Sequence, residues 1–144
     1  MADFDVDAFL AQPLVGRLAT AGPTVRPIWY LWEDGAFWWL TGPWSRLRDH
    51  LAADPEVALV IDTCDLATGH VWQVVAKGEA EVMPYDPERA LRKLRRYLGA
   101  DESEWDRARF NPAGPTDGTG FVRLRPRTMR ARDLSYQASR SAPH

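Results

Sequence analysis

The sequence predicts a mainly β, α+β domain: a small closed or nearly closed antiparallel barrel of about six strands with short peripheral helices. Three observations predict it. Short runs rich in aromatic and β-branched residues recur along the chain, such as "VRPIWYLW" and "EVALVID". The early gaps between these runs are hairpin-sized, too short for the crossovers that parallel strands require. Helical periodicity appears in only a few segments.

Residues 5–11 read as a short helix with Phe9 and Leu10 on its apolar side and Pro13 as its stop. "LVGRLAT" is a strand, and the Gly-Pro turn "AGPT" leads into "VRPIWYLW" as the returning strand. Pro27 cannot donate to a ladder, which puts this strand at an edge or a bulge. "EDG" is a hairpin signal, because Asp-Gly tolerates positive φ, and "AFWWLT" is the next strand. Beyond Gly42 and Pro43 the period changes: Trp44, Leu47 and Leu51 recur at helical spacing up to Asp54-Pro55. "EVALVID" is a strand, "LATGH" a loop, and "VWQVVAKGEAEVM" a long or bent strand with Gly78 as its bulge. Asp86 caps a helix that has Pro87 at its first position, Leu91, Leu94 and Leu98 as its buried stripe, and Gly99 at its end. "ESEWDRARF" adds a helical turn or two, and "NPAGPTDGTG" is a Gly/Pro-rich loop. "FVRLRP" and "TMRARDL" close the sheet. Residues 1–136 then form one domain, and residues 137–144 are expected to be a flexible tail.

The bulk numbers narrow the function classes. A chain of 144 residues fits one domain, and 45% hydrophobic with 26% charged residues is an ordinary globular balance. The net charge of −2 gives no reason to expect nucleic acid or an anionic membrane surface as a partner. No apolar run is long enough to cross a membrane, and the acidic N-terminus "MADFDVDAFL" does not read as a signal peptide. Cys64 is the single cysteine, so no intrachain disulfide can form and a cytoplasmic setting is expected. Seven tryptophans are the outlier that a functional reading must explain.

Side-chain nucleophilic and metal chemistry have no support. His50, His70 and His144 are not spaced with each other or with Cys64 as metal ligands, and His50 reads as a solvated helix residue. No nucleophile elbow, dinucleotide fingerprint or P-loop is present, so neither catalytic side chains nor metal ligands are assigned. "TGPWSR" is more informative. Thr41 closes a strand, and Ser45 and Arg46 fall in the first turn of the next helix, where hydroxyls, a guanidinium and unpaired N–H groups can seat a phosphate. An ordinary N-cap with a surface arginine fits the same residues. Gln73 sits within an apolar strand, where a ring bearing carbonyl and N–H groups would satisfy its amide; a solvated edge-strand glutamine is the alternative. The basic run Arg89, Arg92, Lys93, Arg95 and Arg96 reads mostly as a solvated helix face.

As an ordered set, "RPIWYLWEDG", "LTGPWSRLRDHLAADPEVAL" and "WQVVAKGEAEV" resemble the split β-barrel flavin proteins named for pyridoxamine 5′-phosphate oxidase, a group that includes enzymes using the deazaflavin coenzyme F-420. The resemblance runs from about Val15 to Asp133. It implies a six-stranded antiparallel split β-barrel and a homodimer with cofactor sites at the interface. It further implies that Thr41, Ser45 and Arg46 hold phosphate and that Gln73 faces the ring edge. Arg26, Pro27, Trp29 and Tyr30 would line the ring-bearing strand. The chain departs from the family at Leu47, where the family has a lysine, and at Trp72, where it often has an arginine. Arg48 or Arg17 is the candidate to restore the missing charge.

The function implied is an FMN- or deazaflavin-dependent oxidoreductase that transfers hydride to or from a small planar substrate, with Trp29, Tyr30, Trp39 and Trp44 forming its apolar pocket. The rival readings are a non-catalytic binder of flavin, haem or another flat ligand on the same barrel, and an aromatic-rich structural dimer.

Overall fold

The computed structural model describes residues 4–112 and 117–144, so part of the expected Gly/Pro-rich loop, residues 113–116, lies outside the described residues. The chain begins with helix α1 (Val6–Leu10), followed by strands β1 (Val15–Thr20), β2 (Thr24–Trp29), β3 (Leu31–Glu33) and β4 (Ala36–Thr41). Helix α2 (Leu47–Ala53) precedes β5 (Glu56–Asp65) and the long β6 (His70–Pro84). Helix α3 (Pro87–Leu98) and a 3₁₀ turn (Glu102–Glu104) then lead to β7 (Gly120–Leu124) and β8 (Thr128–Asp133).

All strand pairs are antiparallel, in the order β2-β1-β5-β6-β7-β4-β3, with β8 pairing β6 off this path. The mainly β, antiparallel expectation holds, but the described residues form eight strands rather than six. The main reason is Tyr30. "VRPIWYLW" breaks there into β2 and β3, which stand at opposite ends of the pairing order yet are separated in the chain by this one residue. Main chain therefore joins the two ends of the sheet where a ladder does not. The break leaves the Tyr30 N–H without a strand partner. The Tyr97 hydroxyl accepts that N–H at 3.0 Å and donates to the Leu14 carbonyl at 2.6 Å, removing the cost of an orphaned backbone donor.

Pro27 lies on β2, whose only ladder among the described residues is with β1, as its missing donor requires. Asp34 and Gly35 both take positive φ (56° and 67°), the hairpin turn expected of Asp-Gly. Gly78 is not a bulge: the β5–β6 register runs through it unbroken, from Lys77 opposite Ala58 to Glu79 opposite Glu56. It marks the point where β6 changes partner, from β8 (up to Lys77) to β7 (from Ala80). A side chain at Gly78 would stand 3.1 Å from the Arg125 carbonyl and the Arg127 amide, so the β7–β8 connection crosses directly over it.

Alternation fills the barrel. Leu18, Leu59, Ile61 and Val74 point inward with Phe37 and Trp39, and α1 closes one end through Phe9 and Leu10. Each such side chain stabilises the fold by about 1.5–3 kcal/mol relative to exposure. A second cluster (Leu31, Trp38, Ala90 and Phe121) packs α3 against the β3–β4–β7 side. The buried residues of α3 are Ala90, Lys93 and Leu94; of the expected stripe Leu94 is buried, while Leu91 and Leu98, like Tyr97, are half-buried, so the buried face also takes in Ala90 and Lys93. No described helix is long and apolar enough to cross a membrane.

Candidate functional site

A cleft of about 780 Å³ opens between β2, the segment leading into α2, and α3. Its making is local. After β4, Gly42 and Pro43 turn the chain, and Ser45 N–H bonds to the Gly42 carbonyl at 3.1 Å. Helix α2 starts only at Leu47, so Trp44, Ser45 and Arg46 lie in the turn before it, not in its first turn as expected. The Trp44 ring lies over Gly42, where any Cβ would collide with it. Trp44 is 61% exposed and forms part of the cleft wall.

Ser45 is the organising residue. Its Oγ accepts from Arg26 Nη1 at 2.8 Å and from the Leu47 N–H at 3.0 Å. A hydroxyl has two lone pairs and one proton, so these bonds occupy its acceptors and leave its proton to donate. The same bond ties β2 to the α2 turn and holds the Arg26 guanidinium in the cleft. Arg46, His50, Lys93 and Arg109 complete the polar wall, and no Asp or Glu side chain among the described residues lines it.

Lys93 is the unexpected member. The sequence puts it on a mostly solvated basic face, but it is 6% exposed and reaches the cleft from α3. Burial, reinforced by the neighbouring Arg96 charge, depresses its ammonium to about 8. The other cations of α3 are engaged. Arg89 and Arg92 both bond Glu33, Arg95 pairs Glu102 at 3.8 Å, and Arg96 donates to the Gln12 carbonyl at 3.0 Å. Neither expected substitute for the missing family lysine reaches the cleft: Arg17 pairs Asp62 at 2.9 Å, and Arg48 lies against Gly118 and Gly120. Lys93 and Arg109 supply charge there instead, while Leu47 is a buried core residue. A sequence signal for Lys93 exists in retrospect. It lies beside Leu94 on the stripe that Ala90, Leu94 and Tyr97 mark at i, i+4 and i+7. Arg109 follows the 3₁₀ turn in a segment whose path no periodicity specifies.

Of the sequence-predicted residues, the fold brings Arg26, Pro27, Trp29, Ser45 and Arg46 to this cleft. It does not bring Tyr30, Thr41 or Gln73 there. Tyr30 is fully buried at the β2–β3 corner, edge-on to Phe37 and under the Arg96 guanidinium. Thr41 is fully buried at the end of β4, and its hydroxyl has no partner among the described residues. Gln73 lines a separate groove of about 210 Å³ between β6 and β8, with Lys77, Arg130 and Arg132.

The tryptophans divide by role. Trp32, Trp38 and Trp105 donate their indole N–H to Asp7, the Glu33 carbonyl and the Gly99 carbonyl, which is how buried indoles are normally accommodated. Trp72 stacks on Phe4, with ring centroids 4.3 Å apart. Trp29, Trp39 and Trp44 line the cleft. Trp29 stacks on Tyr97 at 4.5 Å and on Phe110 at 5.7 Å, and the buried Trp39 Nε1 has no partner among the described residues. A wall of cations, a free hydroxyl donor and aromatic rings suits a planar group that carries phosphate. Among the described residues no three His, Cys, Asp or Glu side chains converge as a metal site would require.

Comparison with solved structures returns this barrel. A conserved hypothetical protein, Rv2991 from Mycobacterium tuberculosis, is 24% identical, with a TM-score of 0.69 over 93% of this chain and 86% of that one. A FAD-binding protein (mll6688) from Mesorhizobium loti is 20% identical, with a TM-score of 0.63 over 94% of this chain and 96% of that one. An F420 reductase is also 20% identical, with a TM-score of 0.63 over 90% and 98% of the two chains. At these identities the likeness is one of fold. No curated protein matches the chain. The family model described as pyridoxamine 5′-phosphate oxidase matches residues 3–133, nearly the whole barrel, and the chain belongs to that family.

Proposed function

We propose that this chain is a flavin- or deazaflavin-dependent oxidoreductase, with coenzyme F-420 or FMN in the cationic cleft. One observation carries the reading: four arginine and lysine side chains, Arg26, Arg46, Lys93 and Arg109, share an aromatic cleft with no carboxylate among the described residues. Likeness in fold to a FAD-binding protein and an F420 reductase supports it. When bound, such a coenzyme supplies hydride transfer, and the protein supplies position and electrostatics. Arg26, Ser45 and Arg46 would hold the phosphate, Ser45 through its remaining proton. Lys93 would place positive charge in a poorly solvated part of the cleft. Trp29, Trp39 and Trp44 would exclude water from the ring.

The same reading includes a cytoplasmic homodimer. Gln73 lies outside the cleft of its own chain, and the β6–β8 groove around it is basic. In a dimer, Gln73 of the second copy would complete the ring site, while Thr41 would act only from beneath it.

The decisive experiment is the absorption spectrum of the purified protein, followed by separate titrations with FMN and F-420. Saturable binding of one of them is expected; binding of neither overturns the reading. Binding without turnover of any substrate by the reduced form would favour the flat-ligand carrier. The dimer has its own test. Mixing Arg46→Ala and Gln73→Ala chains should restore one intact site per heterodimer, and a mixture no better than the separate variants would remove the shared site.

A further inference from the structure

Beside the cationic cleft lies a second hollow of about 550 Å³. The two share Leu40, Trp44 and Arg109 as a common wall. Helix α3 serves both from one face: Lys93 enters the cleft, while Ala90 and Leu94 line the hollow. Phe110 and Pro112 close the other side. Tyr85 also lines the hollow, but its hydroxyl donates to the Pro112 carbonyl at 2.6 Å, which leaves the ring face as its main offering. Arg109 is the only charged residue of the hollow among the described residues, and it stands at the boundary. Its guanidinium lies 5.7 Å from the Phe110 ring centroid, with no carboxylate bonded to it among the described residues.

We propose that this hollow is a second ligand site, the berth of the substrate: an aromatic carboxylate of about two fused rings, its rings on Leu40, Ala90, Leu94 and Phe110 and its carboxylate on Arg109. As a substrate assignment this rests on the cofactor reading of the neighbouring cleft; as a binding site it does not. The volume falls in the range of small-molecule sites, and a mainly apolar wall, with Asn111 and Thr119 as its neutral polar members and one cation at its boundary, selects an apolar body bearing one negative group. The shared wall of Trp44 and Arg109 sets such a ligand directly against whatever the cleft holds.

The test is isothermal titration with 2-naphthoate, benzoate and 2-naphthylmethylammonium, with and without saturating FMN. The second ring should tighten binding about tenfold over benzoate, as expected for the added buried apolar area. The ammonium analogue should bind at least tenfold more weakly than 2-naphthoate, and FMN should not displace 2-naphthoate. Ala90→Leu should fill the hollow and reduce 2-naphthoate to the level of benzoate. Arg109→Gln, at an exposed position that tolerates the change, should erase the preference for the carboxylate. Competition between FMN and 2-naphthoate, equal affinity for one ring and two, or an Arg109→Gln protein that keeps the carboxylate preference would each overturn the proposal. If 2-naphthoate behaves as stated but neither FMN nor F-420 binds, the hollow stands as a ligand site and the cofactor reading falls.

Discussion

Two clusters of basic side chains flank helix α3, and they are built on opposite principles. On the β3 side, Arg89 and Arg92 converge on Glu33, with bonds of 2.7 and 2.8 Å, and Arg89 also lies 3.5 Å over the Trp38 ring. Every charge there has an answer within the chain. On the cleft side, Arg26, Arg46, Lys93 and Arg109 share a wall with no acid among the described residues, and one of them is a buried lysine. Charge answered within the fold holds the fold together. Charge left unanswered costs stability and is retained where something else supplies the counterion.

The contrast is most sharply tested at Lys93. Its folded value of about 8 lies below the ordinary 10.5, so between those values the unfolded chain binds the proton that the folded chain rejects. Stability should therefore rise with pH through that window, and below it the ammonium costs up to about 3 kcal/mol at 1.36 kcal/mol per pH unit. Lys93→Met should raise the unfolding free energy of the ligand-free protein by up to that amount at pH 7. The gain should shrink towards zero near pH 10.5, as read from chemical denaturation at several pH values. A Met variant less stable than the parent at pH 7 would place Lys93 with the answered charges.

Next in size is the phosphate seat. Removing a charge-assisted bond costs about 1.5–3 kcal/mol, so Arg46→Ala should weaken FMN by about 10- to 150-fold while leaving riboflavin nearly unaffected. Equal losses for both ligands in paired titrations would remove Arg46 from phosphate binding.

The smallest effect concerns Glu33. Burial raises its carboxyl, but the bonds from Arg92 and Arg89 outweigh this and hold it below the ordinary value of 4.5. Its contribution is therefore present above that value and lost as pH falls through the lowered folded value. Glu33→Gln should cost about 1 kcal/mol near neutrality, since the pair is only partly buried, and nothing once the pH is low enough to protonate the folded carboxyl. A loss that persists in acid would mean that Glu33 acts through packing and not through charge.

How far the sequence could be read depended on whether the signal was local. The Asp34-Gly35 turn, the Asp86 cap with Pro87, and the edge position of Pro27 all follow from backbone chemistry within a few residues, and the structure has each of them. The "PWSR" turn announced a polar site because its residue types are unusual beside an aromatic strand. The partners of that turn were not legible. Arg26 meets Ser45 across 19 residues, and Lys93 comes from a helix whose four arginines hid it. Only their pairing with Glu33, Glu102 and the Gln12 carbonyl, which the fold brings to them, reveals that Lys93 is different. Tyr30 misled for a related reason. An aromatic residue in a strand run promises a face, but a residue at a strand break has no alternation to obey, and this one is turned into the core.

The Tyr30 corner has a mechanical consequence. A sheet whose ends meet through one residue has no ladder along that seam, so the spacing of the two ends is set there by covalent backbone and not by cross-strand hydrogen bonds. The latch on that joint is the Tyr97 hydroxyl, carried by α3 one turn beyond Lys93. The lysine that lines the cleft and the tyrosine that closes the seam are thus carried on the same helix, one turn apart.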